Sequence, residues 1–169
     1  PLLPNDKRYS TRNIRDTLKY NGEKNKLLRE VELIIIDEIS MVRADIIDFI
    51  DKVLRIYNRN MREPFGGKQL LLVGDIYQLE PVIKEEERQL LRPFYPSNFF
   101  FDAQVFREMQ LIAVELKKVY RQRDAQFIAL LDHIRTSHVS DSDLRLLNAQ
   151  VNAEIGTEAG RLSITLSGR

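Results

Sequence analysis

Leu33-Ile34-Ile35-Ile36-Asp37-Glu38-Ile39-Ser40-Met41 is the stretch that decides the reading of this chain. Four aliphatic residues run directly into two adjacent carboxylates and then a serine. Such an unbroken apolar run is what a strand buried on both faces of a sheet requires. The strand predicted over Val31 to Ile36 therefore ends in two acids, at the sheet edge where open α/β folds bind ligands. Two readings are open here. Adjacent acids in that place hold a magnesium ion with the first carboxylate and polarise an attacking water with the second in nucleoside-triphosphatases. Alternatively, Asp37, Glu38 and Ser40 merely cap the next helix, since all three residue types favour helix starts.

Outward from this stretch, Val42, Ile46, Ile47, Phe49, Ile50, Val53, Leu54 and Tyr57 repeat with helical spacing. Asp45, Asp48, Asp51, Lys52 and Arg55 fill the other face, so Met41 to Tyr57 is predicted as an amphipathic helix. Asn58 to Lys68 reads as a polar loop around Pro64-Phe65-Gly66-Gly67. Gln69-Leu70-Leu71-Leu72-Val73 is a second apolar run. Strand, helix, strand with such runs implies a βαβ unit and a mainly parallel sheet, hence an α/β fold. Upstream, Thr11 to Tyr20 is a weak helix closed by Asn21-Gly22, and Lys26 to Glu30 is a charged, helical approach. Downstream, Ile76 to Val82 is a turn and Glu85-Glu86-Glu87 a solvated face. Ala103 to Glu108 is a short helix, Leu111 to Leu116 a third strand, and Ala125 to Ile134 and Ser140 to Gln150 two more helices. Glu158 to Arg161 is a linker and Leu162 to Leu166 a last strand.

Composition narrows the class. The 169 residues are 43% hydrophobic, enough for one domain with a real core. With 26 Lys plus Arg against 25 Asp plus Glu the net charge is +1, which neither demands nor excludes nucleic acid. The chain has no Cys, so disulfides and thiolate metal sites are out, and its two His make a zinc site improbable. No apolar run reaches membrane-spanning length and no signal peptide is visible. An intracellular location is expected. The chain opens on Pro1 and stops at Gly168-Arg169 just after a strand-like run, and both ends read as cuts from a larger polypeptide.

Two further signals follow predicted strands. After the second comes Gly74-Asp75-Ile76-Tyr77-Gln78-Leu79-Glu80-Pro81-Val82. Here Gly permits a sharp backbone turn, and the Gln78 amide suits a phosphate oxygen or a water. Gly-Asp is also an ordinary turn pair. After the third comes Val119-Tyr120-Arg121-Gln122, where the planar fork of Arg121 suits phosphate, or is a plain surface arginine. Asp37-Glu38, Gln78 and Arg121 each stand at the end of a predicted strand, which is hard to attribute to chance.

The order IIIDEISM, PFGG, LLLVGDIYQLEPV, VYRQ and then an F-x-x-L-L-x-x-I-R helix resembles the PIF-type, RecD-like branch of superfamily 1 DNA helicases, over about Val31 to Arg135. The resemblance implies a RecA-like P-loop NTPase fold of three layers. It implies that Asp37 coordinates magnesium, Glu38 is the catalytic base for ATP hydrolysis, Gln78 senses the terminal phosphate and Arg121 contacts it. Leu79, Pro81 and Val82 are expected near the single-stranded DNA path, and the parent is expected to translocate 5′ to 3′ in DNA repair or recombination, in a bacterial cytoplasm.

One motif of that family is missing. The phosphate-cradling G-x-x-x-x-G-K-[ST] loop is absent from the sequence. Gly67-Lys68 is a decoy, with Arg62 where the first Gly belongs and Gln69 after the Lys. Residues 1–150 are therefore expected to be the back part of a first motor domain, and 151–169 a linker and the first strand of a second. ATP and magnesium are expected to bind the parent but not this piece. In the family's sheet the loop-bearing strand sits between the Gln69–Val73 and Leu111–Leu116 strands, so unpaired edges are expected, resolved either by closure of the gap or by self-association that fills it. Arg43, Arg55, Arg59, Arg62 and Lys68 are read as a solvated face and loop, with DNA phosphates as the other possibility. The competing functions are another DE-type ATPase of the AAA+ kind and a non-catalytic interaction domain without a phosphate loop.

Overall fold

The computed structural model describes residues 1–120 and 123–149. It divides into two units, Pro1–Leu116 and Lys117–Arg169. In the first unit, helices α1 (Ile14–Leu18) and α2 (Gly22–Glu30) lead into strand β1 (Leu33–Ile36). Helix α3 (Ala44–Asn58) then returns the chain to strand β2 (Gln69–Leu72), and α4 (Glu85–Leu91) follows. β1 and β2 pair in parallel, Leu33 opposite Gln69 through Ile36 opposite Leu72, so the expected βαβ unit forms. The second unit contains α5 (Ala125–Arg135) and α6 (Asp141–Asn148). Ser140 caps α6 in a capping box with Asp143, and donation from the Ser140 hydroxyl and then from its N–H holds the Asp143 carboxyl below its ordinary range.

α3 organises the first unit. Ala44, Ile47 and Leu54 pack with Ile39, Phe65, Leu91, Tyr95, Ala103 and Val105, and the inner sheet residues Ile34, Ile36, Leu70 and Leu72 lie against that cluster. Val53, Ile56 and Tyr57 pack with Ile14 on the opposite side. A helix flanked by two clusters has little solvent face left. Its acids, expected on a solvated stripe, are instead tied to distant loops. Asp45 accepts from Leu2 N–H at 2.7 Å and from Arg43. Asp48 accepts from the Tyr95 hydroxyl at 2.9 Å and from the Gln104 and Val105 N–H groups at 3.0 and 2.9 Å. Asp51 accepts from Phe65 N–H and from Arg55. Burial pushes the Asp51 carboxyl up, against those two donors.

Other expectations shift for local reasons. The Asn58–Lys68 segment is less a polar loop than a packed strap, with Phe65 fully buried and both Phe65 and Gly66 at positive φ. Lys19, in the left-handed region, closes α1, while Asn21 starts α2 by accepting Lys24 N–H at 3.0 Å. Residues 104–107 form a 3-10 turn rather than a helix. The strands are apolar on both faces but buried on one: Leu33, Ile35, Leu71 and Val73 are 41–59% exposed, because nothing among the described residues covers that face. Leu111 to Leu116 is not a strand. It pairs with no ladder among the described residues, and Ile112, Val114 and Leu116 are at least 79% exposed. A strand is defined by its neighbour's hydrogen bonds, and no ladder joins this segment to another strand among the described residues. The linker and strand expected over 158–166 lie outside the described residues.

Candidate active site

The two motif loops leave the same edge of the sheet. Ile36 is opposite Leu72, so Asp37 and Val73 emerge side by side. Val73 N–H donates to the Ile36 carbonyl at 2.9 Å, and Ile39 N–H donates to the Val73 carbonyl at 2.9 Å. The acidic turn is thus joined by backbone bonds to the start of the Gly74–Val82 loop. Gly74 makes room for this. A Cβ there would lie 2.9 Å from Ile39 N and 3.0 Å from Ile39 Cγ2, so the residue is needed for close approach and not for the sharp turn expected from sequence.

Glu38 sits in the left-handed region, φ 50° and ψ 43°, which costs a non-glycine residue about 1 kcal/mol. Its N–H donates to Asp37 Oδ1 at 2.9 Å, and Oδ2 has no hydrogen-bond partner among the described residues. Both carboxylates are exposed. A single 3-10 turn, Ile39–Met41, follows, and α3 begins only after Arg43. None of Asp37, Glu38 or Ser40 caps α3, which removes the capping reading. Ser40 is buried, and its hydroxyl has no hydrogen-bond partner among the described residues.

In the second loop Asp75 does two things. Its Oδ1 accepts Tyr77 N–H at 3.0 Å, which forms the turn, and its Oδ2 accepts Gln78 Nε2–H at 3.1 Å. Sequence reading saw only the turn; the Gln three positions on was the available signal for the second contact. Leu79 and Val82 stand 68% and 86% exposed, whereas Pro81 is buried. Glu80 and Pro81 wall an open cavity of about 300 Å³ with Arg88, Arg92, Tyr95 and Phe99, which sequence reading did not single out. Arg121 lies outside the described residues.

The cations considered for DNA contact are largely engaged. Arg43 pairs with Asp45 at 2.8 Å and Glu87 at 3.3 Å, and the bond to Asp45 holds its proton more tightly than usual. Arg55 pairs with Asp51 at 2.9 Å and Glu108 at 2.7 Å. Both are internal braces, neither a solvated face nor phosphate contacts. Lys68 Nζ donates to the Arg29 carbonyl at 2.6 Å.

No group of three or more His, Cys, Asp or Glu suited to a metal occurs among the described residues. Magnesium keeps much of its water and takes one or two carboxylates plus substrate phosphates, so a magnesium site does not require such a group. Asp37, exposed and with one oxygen open, is a donor of the right hardness.

A profile of PIF1-like helicases matches residues 7–145. The chain belongs to the PIF1-like helicase family. Across 125 residues this PIF1-like chain is 38% identical to the human ATP-dependent DNA helicase PIF1, covering 74% of itself and 18% of that protein. It is 32% identical over 140 residues to the ATP-dependent DNA helicase RRM3 of Saccharomyces cerevisiae, covering 81% of itself and 18% of the relative. A crystal structure of Pif1 helicase from Bacteroides in complex with ADP-AlF3 and ssDNA superposes with a TM-score of 0.84 at 41% identity, over 95% of this chain and 35% of that one. The parallel βαβ unit is therefore part of an α/β, RecA-like P-loop NTPase fold. Among the described residues no helix is long and apolar enough to cross a membrane.

Proposed function

We propose that this chain is part of an ATP-driven DNA helicase motor that moves 5′ to 3′ along single-stranded DNA. The observation that carries this is the backbone junction of the acidic turn with the Gly74–Val82 loop at the carboxyl edge of a parallel sheet. The named relatives support it: they are ATP-dependent DNA helicases, and the Bacteroides complex holds ADP-AlF3 and ssDNA. Asp37 is assigned to hold magnesium and Glu38 to take the proton of the attacking water. When bound with ATP, magnesium neutralises charge on the phosphate oxygens. Gln78 is assigned to the terminal phosphate or its water, and Arg121 to the same phosphate. The exposed Leu79 and Val82, with Pro81 setting the loop between them, are assigned to the DNA bases.

Residues 1–150 are assigned to the first motor domain and 151–169 to the start of the second. A phosphate loop is supplied by sequence outside this chain, so the isolated chain is inactive and binds neither ATP nor magnesium usefully. This rests on the absent G-x-x-x-x-G-K-[ST] and on the 18% of the human relative that is spanned. The exposed sheet face and the Ile112–Leu116 segment favour self-association of the isolated chain; a monodisperse monomer in light scattering counts against that. A bacterial cytoplasm is the proposed location, supported by 44% identity to a Bacteroides Pif1 structure against 38% to the human relative.

The test is single-stranded-DNA-stimulated ATP hydrolysis by this chain and by the longer polypeptide carrying it, each with and without Glu38→Gln. The expected result is turnover by the longer protein only, abolished by Glu38→Gln. Turnover by the chain alone refutes the need for an outside loop; an active longer Glu38→Gln refutes the base assignment.

A further inference from the structure

The Asp75 carboxylate accepts one N–H of the Gln78 amide. A carboxylate has no proton to give, so it fixes which way round that amide sits. Nε2 must face Asp75, and Oε1 must face away. The side chain is exposed, and a free amide there would turn over between two near-equivalent orientations. Asp75 also accepts Tyr77 N–H through its other oxygen, and its own carbonyl accepts Gln78 N–H at 3.1 Å. One residue therefore sets both the turn and the presentation of Gln78. The base of the loop is held in turn by Val73 and Gly74 against the acidic turn. A shift of the Gln78 amide is thus referred to the strand edge that carries Asp37 and Glu38.

We infer that Asp75 is the positioning residue of Gln78, orienting its amide so that an acceptor oxygen and one remaining N–H face the reacting phosphate and water. This rests on the assignment of Gln78 in the proposed function. Its chemistry predicts an unusual sensitivity to an isosteric change. In Asp75→Asn the remaining oxygen still serves Tyr77 N–H, so the turn is kept. The new amide nitrogen then faces Gln78, two donors confront each other, and the Gln78 amide turns over. The group presented to the nucleotide changes from an acceptor with one N–H to a full NH2.

The experiment is a double-mutant cycle in the longer polypeptide that carries this chain, reading kcat and KM of DNA-stimulated ATP hydrolysis. The variants are Gln78→Ala, Asp75→Asn and the double variant, with thermal unfolding as a check on folding. Asp75→Asn is expected to lower kcat about tenfold with KM for ATP changed less than about threefold, the size of one misdirected hydrogen bond. In the Gln78→Ala background the same substitution is expected to have no further effect. Asp75→Ser, too short to reach Gln78 but able to accept Tyr77 N–H, serves as the second variant and is expected to fall between wild type and Gln78→Ala. An additive double variant, or two silent Asp75 variants beside an impaired Gln78→Ala, overturns the positioning role alone. A silent Gln78→Ala overturns the assignment of Gln78, and this inference with it.

Discussion

Gly74→Ala puts one methyl group where the two motif loops meet. The added Cβ would stand 2.9 Å from Ile39 N, 3.0 Å from Ile39 Cγ2 and 3.4 Å from Ser40 N. Two of the three atoms are backbone, so no side-chain rotation relieves the clash. To reach ordinary contact the acidic turn must retreat by about half an ångström. That retreat stretches the bond from Ile39 N–H to the Val73 carbonyl, now 2.9 Å. Overpacking of this kind costs about 1–3 kcal/mol, and weakening the bond adds up to about 1. A loss of about 2–3 kcal/mol is therefore expected in urea unfolding, with the slope unchanged. Gly22→Ala is the internal control. Nothing lies within 4 Å of a Cβ at Gly22, which opens α2, so a change within about 0.5 kcal/mol, or a slight gain, is expected there. In the longer polypeptide, DNA-stimulated hydrolysis by Gly74→Ala is expected to fall more than the fraction folded does, because Asp37 and Glu38 ride on the displaced turn. Gly74→Ala with the unfolding midpoint and turnover of wild type would refute the close-approach reasoning, and so would equal losses at Gly74 and Gly22.

Three further outcomes follow from the same geometry. Asp48→Ala strips the acceptor from the Gln104 and Val105 N–H groups and from the Tyr95 hydroxyl, and should cost about 2–4 kcal/mol in chemical unfolding, whereas a loss under about 1 would mean water replaces the carboxylate freely. Burial holds the Tyr95 phenol above its ordinary value of 10.0, so its contribution is fully present below that value and is lost as pH rises through the higher folded one; unfolding midpoints should drop steeply above pH 10 in wild type and less in Tyr95→Phe. Glu38→Gly removes the left-handed strain and should raise stability by about 0.5–1 kcal/mol while abolishing hydrolysis in the longer polypeptide; a destabilised Glu38→Gly shows that the carboxylate holds the turn together.

The βαβ unit was legible because its signals are local. Ile34 to Ile36, Leu70 to Leu72 and the helical spacing from Ile46 to Tyr57 each announce an element within one window. What the windows hid was the destination of each side chain. Asp45, Asp48 and Asp51 look like the wet side of an amphipathic helix, yet they serve Leu2, Gln104, Val105 and Phe65, up to 57 residues away. A charge reads as solvent-seeking until the backbone donors that surround it are known. Leu33, Ile35, Leu71 and Val73 show the reverse. Their composition states that the strand wants cover on both faces, but composition does not supply the cover. Leu111 to Leu116 shows the same limit, since strand propensity without a ladder among the described residues leaves the segment exposed. At the site, type and spacing bring Asp37, Glu38 and Gln78 forward as candidates, and the structure joins the turn that carries the two acids to the loop that carries Gln78. The Asp75 contact was not legible, because Gly-Asp also describes an ordinary turn and here is one.

Glu38 and Gly74 make opposite choices at one junction. Position 74 is glycine because a neighbouring backbone leaves no room for a Cβ. Position 38 has the left-handed backbone that glycine adopts without strain, yet it carries glutamate. Its side chain is exposed and caps no helix, and its own N–H is satisfied by Asp37. Folding gains nothing visible from a carboxylate there, and local strain disfavours it. A residue held against its conformational preference, beside one chosen purely for space, is what a site selected for chemistry looks like. That contrast supports the proposed assignment of Glu38 as the catalytic base.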